Sequence, residues 1–299
     1  MTTADYLESL QSDLSRTIEA LDLEEGTNFT DIAQMAEDGD ISTGGGGADL
    51  SDYFNDTISE SLNTAPAGTK LIKKIPNNIT VTSSSLAYAF RYFGITEAPA
   101  LNTSSVTDMR YMFSNCASLT TVPQYNTTNV TQITRMFENC TSLTTIPLLD
   151  FSNVTTGTNV FDGCSALVNV PALDVGKLAN LSWFFRLCSS LVECPQLDTS
   201  SATNFQMFFQ DCSSLTTVPV LDTSKATNLN GFVYGCTSLS NDSLNNILKM
   251  CINATSYNGT KTLYYLFGNN NYSSYYPAST IQSLSNYSSF TSAGWSIGW

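Results

Sequence analysis

No histidine occurs anywhere in the 299 residues. That absence removes Ser-His-Asp and Cys-His catalysis together with the commonest metal ligand. Bases are scarce as well, 12 Lys and Arg against 26 Asp and Glu. No basic stripe is available to displace counterions from phosphates, so nucleic acid is excluded as a partner. No apolar run approaches the roughly 20 residues of a membrane-spanning helix, so no membrane insertion is expected. The opening "MTTADYLESLQSDLSRTIEALD" is polar and acidic, unlike a signal peptide. Nucleophile-base pairs and phosphate-binding loops are missing too, which points to a protein that is not an enzyme and needs no cofactor.

The charge that is present is unevenly placed. Residues 1–60 hold 15 acids and one base, Arg16, for a net charge of −14, whereas residues 61–299 hold 11 acids and 11 bases. Different roles for the two parts follow.

What fills the neutral part is a repeat. Cysteines stand at 116, 140, 164, 188, 212 and 236, each 24 residues apart. Prolines keep the same beat at 99, 123, 147, 171, 195 and 219, and leucines at 119, 143, 167, 191, 215 and 239. A further column runs Leu101, Tyr125, Leu149, Leu173, Leu197 and Leu221, each followed by Asn or Asp. An earlier copy, "YAFRYFGITEAPALN", is one residue short and puts Phe93 in the cysteine slot.

Each unit divides in two. Val106, Met109, Met112, Phe113 and Cys116 recur at spacings that place them on one face of a helix. Phrases such as "SLTTVPQYN" are short, rich in Thr and Val, and read as a strand interrupted by proline. A strand and a helix every 24 residues cannot bury their apolar faces alone and must stack on neighbours. The expected fold is therefore an α/β repeat: a leucine-rich-repeat-like solenoid of 24-residue strand-helix units with parallel strands, preceded by a short α-helical segment. The expected organisation is a helical anchoring or oligomerisation segment over 1–43, a Gly-rich hinge and lead-in over 44–82, the solenoid over 83–240 and a C-terminal cap over 241–299.

The phrase "LDTSSATNFQMFFQDCSSLTTVPVLDTSKATNLNGF" resembles the BspA-like leucine-rich repeats, in particular the Mycoplasma-lipoprotein type built on "LDTSNVTNMSxMFxxCSSL". The resemblance covers residues 83–240. It implies a parallel-stranded solenoid of the kind found on surface proteins that bind host or partner surfaces. This sequence departs from the pattern by its proline in the strand half, so its sheet is expected to be less regular.

At the N-terminus, Leu7, Leu10, Leu14, Ile18 and Leu21 lie close to a heptad seam over residues 3–21, an expected anchoring or oligomerisation stripe. A second short helix is expected at "TDIAQMAED", and Gly44 to Gly47 read as a hinge. The acidic helical lead, the glycine run and "ADLSDYFNDTI" resemble the start of tail or appendage proteins of phages infecting Firmicutes. That resemblance implies a virion location, with other virion proteins as partners through residues 1–60 and a homo-oligomer, a trimer being one option. The alternative is a bacterial surface adhesin that binds proteins or glycans. At the C-terminus "SNDSLNNILKMC" reads as a helix capped by Asn241 or Asp242, and "TSAGWSIGW" as a strand. Tyr257, Tyr264, Tyr265, Tyr272, Tyr275 and Tyr276 lie between them, as cap packing or as a platform for a partner.

Three sets of residues could carry chemistry. The cysteines lack C-x2-C spacing, and Cys194 stands where other units have Val122, Ile146, Val170 and Val218. Both facts favour reduced thiols acting as small core groups over metal ligands or disulfides. The column Asp150, Asp174, Asp198 and Asp222 could gather calcium, but Asn102 and Asn126 share its slot, which favours hydrogen-bonding caps. Outward positions of the strand half vary from unit to unit, and there a binding surface is expected: Thr120, Gln124, Thr144, Leu148, Asn169, Glu193, Gln196 and Thr217. Such a face is flat, neutral and rich in hydroxyls, suited to a host surface glycan or protein.

Overall fold

The computed structural model describes residues 81, 84–262 and 276–296. The heptad stripe Leu7, Leu10, Leu14, Ile18 and Leu21, the second short helix, the glycine hinge, and Tyr264, Tyr265, Tyr272 and Tyr275 lie outside them. Within them the chain winds into parallel coils. Asp108 bridges Gln132 and Gln132 bridges Thr156, while on a second side Glu97 bridges Thr121, Thr145 bridges Asn169 and Glu193 bridges Thr217, all parallel. Each of these pairs is one 24-residue period apart. The first coil is one residue short where its Ser85 bridges Asp108.

The strand half consists of isolated bridges instead of continuous strands. Proline explains this, since it supplies no N–H to the ladder. Side chains substitute: the Gln124 amide donates to the Leu148 carbonyl at 2.6 Å, and the Gln196 amide to the Val220 carbonyl at 3.3 Å.

The helix half is not helical. Val106, Met109, Met112, Phe113 and Cys116 are all fully buried, so the expected face exists, but it is carried by a train of four-residue turns. Met112, Ser114 and Cys116 donate their N–H to the carbonyl three residues back, at 3.3, 3.0 and 3.1 Å. Met109, Tyr111, Phe113 and Asn115 donate theirs to the next coil, to Gln132, Thr134, Met136 and Glu138. Arg110 donates to Asp108 Oδ1 at 3.0 Å. Every N–H from 109 to 116 is thus satisfied, alternately by its own turn and by its neighbour. The third residue of successive turns has positive φ, as in a type II turn: Tyr111 at 58° and Asn115 at 65°. No α-helix passes through such angles. Apolar spacing of three and four residues is common to both structures, which is why the sequence reads as a helix.

The core is a set of columns. Phe90, Phe113, Phe137, Phe161, Phe185 and Phe209 stack coil on coil with centroid separations of 5.4, 5.7, 5.6, 5.5 and 5.8 Å and near-parallel planes. Val233 occupies the next position, and Phe209 meets Phe232 edge-on instead. The leucine columns at 119–215 and 149–221 are buried beside them.

Helix α1 (Asn241–Asn253) closes the stack, buries Leu244, Ile247, Leu248, Met250 and Cys251, and is capped by Ser240, whose hydroxyl accepts the Ser243 N–H. The cap therefore falls one residue before the expected Asn241 or Asp242, leaving Asp242 in the first turn, where its charge suits the helix dipole. Its side chains take the place of a further strand. Ser243 accepts the Val218 N–H and donates to the Thr216 carbonyl, and Asn246 donates to the Val218 carbonyl. Short helices α2 (Ala278–Gln282) and α3 (Tyr287–Ser292) follow. The expected closing strand is corrected over its described part: Thr291 and Ser292 finish α3, Gly294 turns the chain at φ 84°, and Ser296 bridges Thr262, while residues 297–299 lie outside the described residues.

Candidate functional site

The cysteine column lies in the core, with all eight thiols free and buried. The six periodic ones are more than spacers. Cys116, Cys140, Cys164, Cys188, Cys212 and Cys236 each direct Sγ at a phenylalanine carbonyl of the preceding coil, at 2.9–3.1 Å. Phe113 O, for example, accepts the Cys116 N–H within its own turn and the Cys140 thiol from the next coil. A carbonyl has two lone pairs, and here the turn uses one and the thiol the other. Burial pushes the thiols of Cys116, Cys194 and Cys251 far above the ordinary range, which keeps them protonated and unreactive.

The Asn and Asp column forms caps, though of turns and not of helices. Oδ1 of Asn102, Asn126, Asp150, Asp174, Asp198 and Asp222 each accepts the N–H two residues on, at 2.9–3.2 Å. The hydroxyl and N–H of Ser152 hold Asp150 below the usual carboxylate range, and the N–H and hydroxyl of Ser200 and Ser224 do the same for Asp198 and Asp222.

The eight outward positions all lie exposed on the strand side, in rows set by the parallel bridges. They fall into two kinds. Gln124, Gln196, Thr120 and Thr217 are partly committed to the fold, the first two as staples, Thr120 through its hydroxyl on the Thr96 carbonyl at 2.8 Å and Thr217 through its hydroxyl against that of Thr216 at 3.4 Å. Thr144, Leu148, Asn169 and Glu193 make no side-chain hydrogen bond among the described residues. Beside them are two apolar groups outside the expected set, Val168 and Val192, which with Leu148 are among the exposed large hydrophobic residues, at 37%, 42% and 59%. Val168 and Val192 are neighbours in consecutive coils, joined by the Val192 N–H on the Val168 carbonyl. In their row Thr120, Thr144 and Thr216 provide hydroxyls. The result is a pair of adjacent exposed valines, with Leu148 exposed in a separate row, on a hydroxyl-bearing face that carries two acids in one row, Glu97 and Glu193.

A polar network on the turn side was not foreseen. Glu138 and Asp162 occupy one slot in adjacent coils. Arg135 pairs with Glu138 at 3.2 Å and Arg186 with Asp162 at 3.2 Å, while Asn159 donates to Asp162 at 2.9 Å and Ser114 to Glu138 at 3.1 Å. Burial raises both carboxyl groups despite the arginines. Each carboxylate is already engaged, so the pair acts as inter-coil glue. Only the register of the coils brings these residues together, and no short motif announces it. Among the described residues no group of three or more His, Cys, Asp or Glu side chains could hold a metal ion, and no helix is long and apolar enough to cross a membrane.

Two solved structures are similar to the chain. One is a T. pallidum leucine-rich repeat protein, 20% identical over 56% of this chain and 75% of that one, with a TM-score of 0.45. The other is a leucine-rich repeat protein from Eubacterium ventriosum, 15% identical over 51% of this chain and 56% of that one, with a TM-score of 0.32. No curated protein matches. The fold assignment rests on the coil geometry itself. Residues 79–172 and 157–264, more than half of the sequence, match the family described as "Mycoplasma protein of unknown function, DUF285", and the chain belongs to that family.

Proposed function

We propose that this is a non-enzymatic recognition protein of the bacterial surface-adhesin kind, whose strand side engages an uncharged patch on another cell's protein or glycan. The observation that carries the reading is the adjacent pair Val168 and Val192, held exposed in a row of threonines on a parallel ladder, with Leu148 exposed on the same side. Exposed apolar groups with a polar surround are how a soluble surface marks a contact site. Family membership supports a repeat protein of this class. The virion role expected from the sequence draws on residues 1–60, which lie outside both the described residues and the family match.

Binding of the full chain to immobilised collagen, laminin, mucin and purified peptidoglycan tests the proposal. At least one should bind, and Leu148→Asp should weaken that binding by about tenfold or more while leaving the thermal midpoint unchanged. Failure of all four to bind, or equal binding by the variant, removes the strand side as the recognition surface.

A further inference from the structure

Two Asn-Gly pairs lie among the described residues, and the fold treats them oppositely. Asn230 is pinned: its N–H rests on Asn228 Oδ1 at 3.1 Å, its carbonyl accepts the Met207 N–H at 2.8 Å, and its own Oδ1 accepts the Tyr257 hydroxyl at 3.5 Å. Gly231 sits buried in a turn at φ 65°. Asn258 is exposed as Asn230 is, but Gly259 is exposed where Gly231 is buried, the pair lies outside any helix or bridge, and among the described residues neither the Asn258 side chain nor the Gly259 N–H makes a hydrogen bond.

We infer that Asn258 is a site of spontaneous covalent self-modification, in which its side-chain amide is lost to the backbone nitrogen of Gly259. Glycine adds no Cβ to hinder attack by this nitrogen, although here the Tyr257 ring packs against the glycine. The Gly259 nitrogen gives up its proton to solvent and attacks the Asn258 side-chain carbonyl carbon. The new C–N bond closes a five-membered succinimide, and the amide nitrogen departs as ammonia. Water then opens the ring at either carbonyl, leaving isoaspartate or aspartate at 258. No oxidant or cofactor takes part.

The position gives the reaction a consequence. Residue 258 lies between Tyr257, stacked on Trp295 at 5.2 Å, and Thr262, which bridges Ser296. Isoaspartate lengthens this link by one methylene and adds a negative charge, so the packing of the C-terminal cap should loosen as the protein ages.

Trypsin separates the two candidates: cleavage after Lys225, Lys249 and Lys261 yields peptides 226–249 and 250–261. The full chain is incubated at mildly alkaline pH and body temperature, digested, and sequenced by mass spectrometry, with isoaspartate methyltransferase labelling as a second readout. Amide loss at Asn258 should exceed that at Asn230 by about tenfold or more in the folded chain. The two rates should converge in guanidinium, and Asn258→Gln should abolish the label on peptide 250–261. Equal rates in the folded chain, or an intact Asn258 where the unfolded chain converts, would overturn the inference.

Discussion

At the residue scale the fold is built on an unusual demand, a left-handed backbone at two positions in every turn train. The second of these directly precedes the cysteine. Asn115, Asn139, Gly163, Asp211 and Gly235 fill it with residues that tolerate positive φ, but Leu187 sits there at 60°. Its side chain is 37% exposed, so its packing offsets the backbone cost only in part. Leu187→Asn should therefore stabilise the protein by about 1 kcal/mol, the lower end of the left-handed penalty for an ordinary side chain. Urea denaturation measures it, and a loss of stability would show that Leu187 packs more than its exposure suggests. Gly235 is the converse case, because at φ 71° an added Cβ would collide with Asp211 Oδ1.

At the scale of the element, much was legible in the sequence and one feature was not. Which residues face inward followed from the 24-residue columns, and Cys194 in a valine slot pointed to buried, reduced thiols, but the bond each periodic thiol makes to a phenylalanine carbonyl did not show in the sequence. The helix did not survive, because a run of four-residue turns has the same apolar spacing. The discriminating signal was present in the Asn, Gly or Asp before five of the six periodic cysteines, residues that mark positive φ and are poor company inside a helix. In the candidate site, exposure could be read from variation between units. The stapling roles of Gln124 and Gln196 could not, since they depend on which carbonyl the proline leaves unpaired one coil away. The Asn and Asp turns also set a pH dependence. Asp150, Asp198 and Asp222 are held below their ordinary range by Ser N–H and hydroxyl groups, so they stabilise the fold while ionised, and that stability fades as pH falls through their folded values. Glu138 and Asp162 are raised by burial and act in the opposite sense, costing stability once ionised. Stability should hold or rise slightly on acidification from neutral pH and then drop below about pH 4, near the ordinary carboxylate value. A thermal midpoint that falls steadily from neutral pH would mean that the buried pair is net stabilising when charged.

For the whole molecule, the sequence separates into letters that recur and letters that do not. The recurring Cys, Phe and Leu columns bond or stack along the coil axis, the Asx column caps a turn within each coil, and each makes the same contact in coil after coil. Such columns can build a stable rod but cannot distinguish one partner from another, because every unit offers the same chemistry. Discrimination has to come from positions where neighbouring units differ, and on the strand side the sharpest difference is Val168 and Val192 in a row otherwise filled by Thr120, Thr144 and Thr216. The most direct measurement restores the row to uniformity. The double variant Val168→Thr, Val192→Thr in the full chain replaces two exposed isosteres, so its folding free energy should stay within about 0.5 kcal/mol of the parent. Its binding to whichever immobilised surface the parent recognises should fall by about tenfold or more. Unchanged binding at unchanged stability would contradict the account, because recognition would then not depend on the letters that differ.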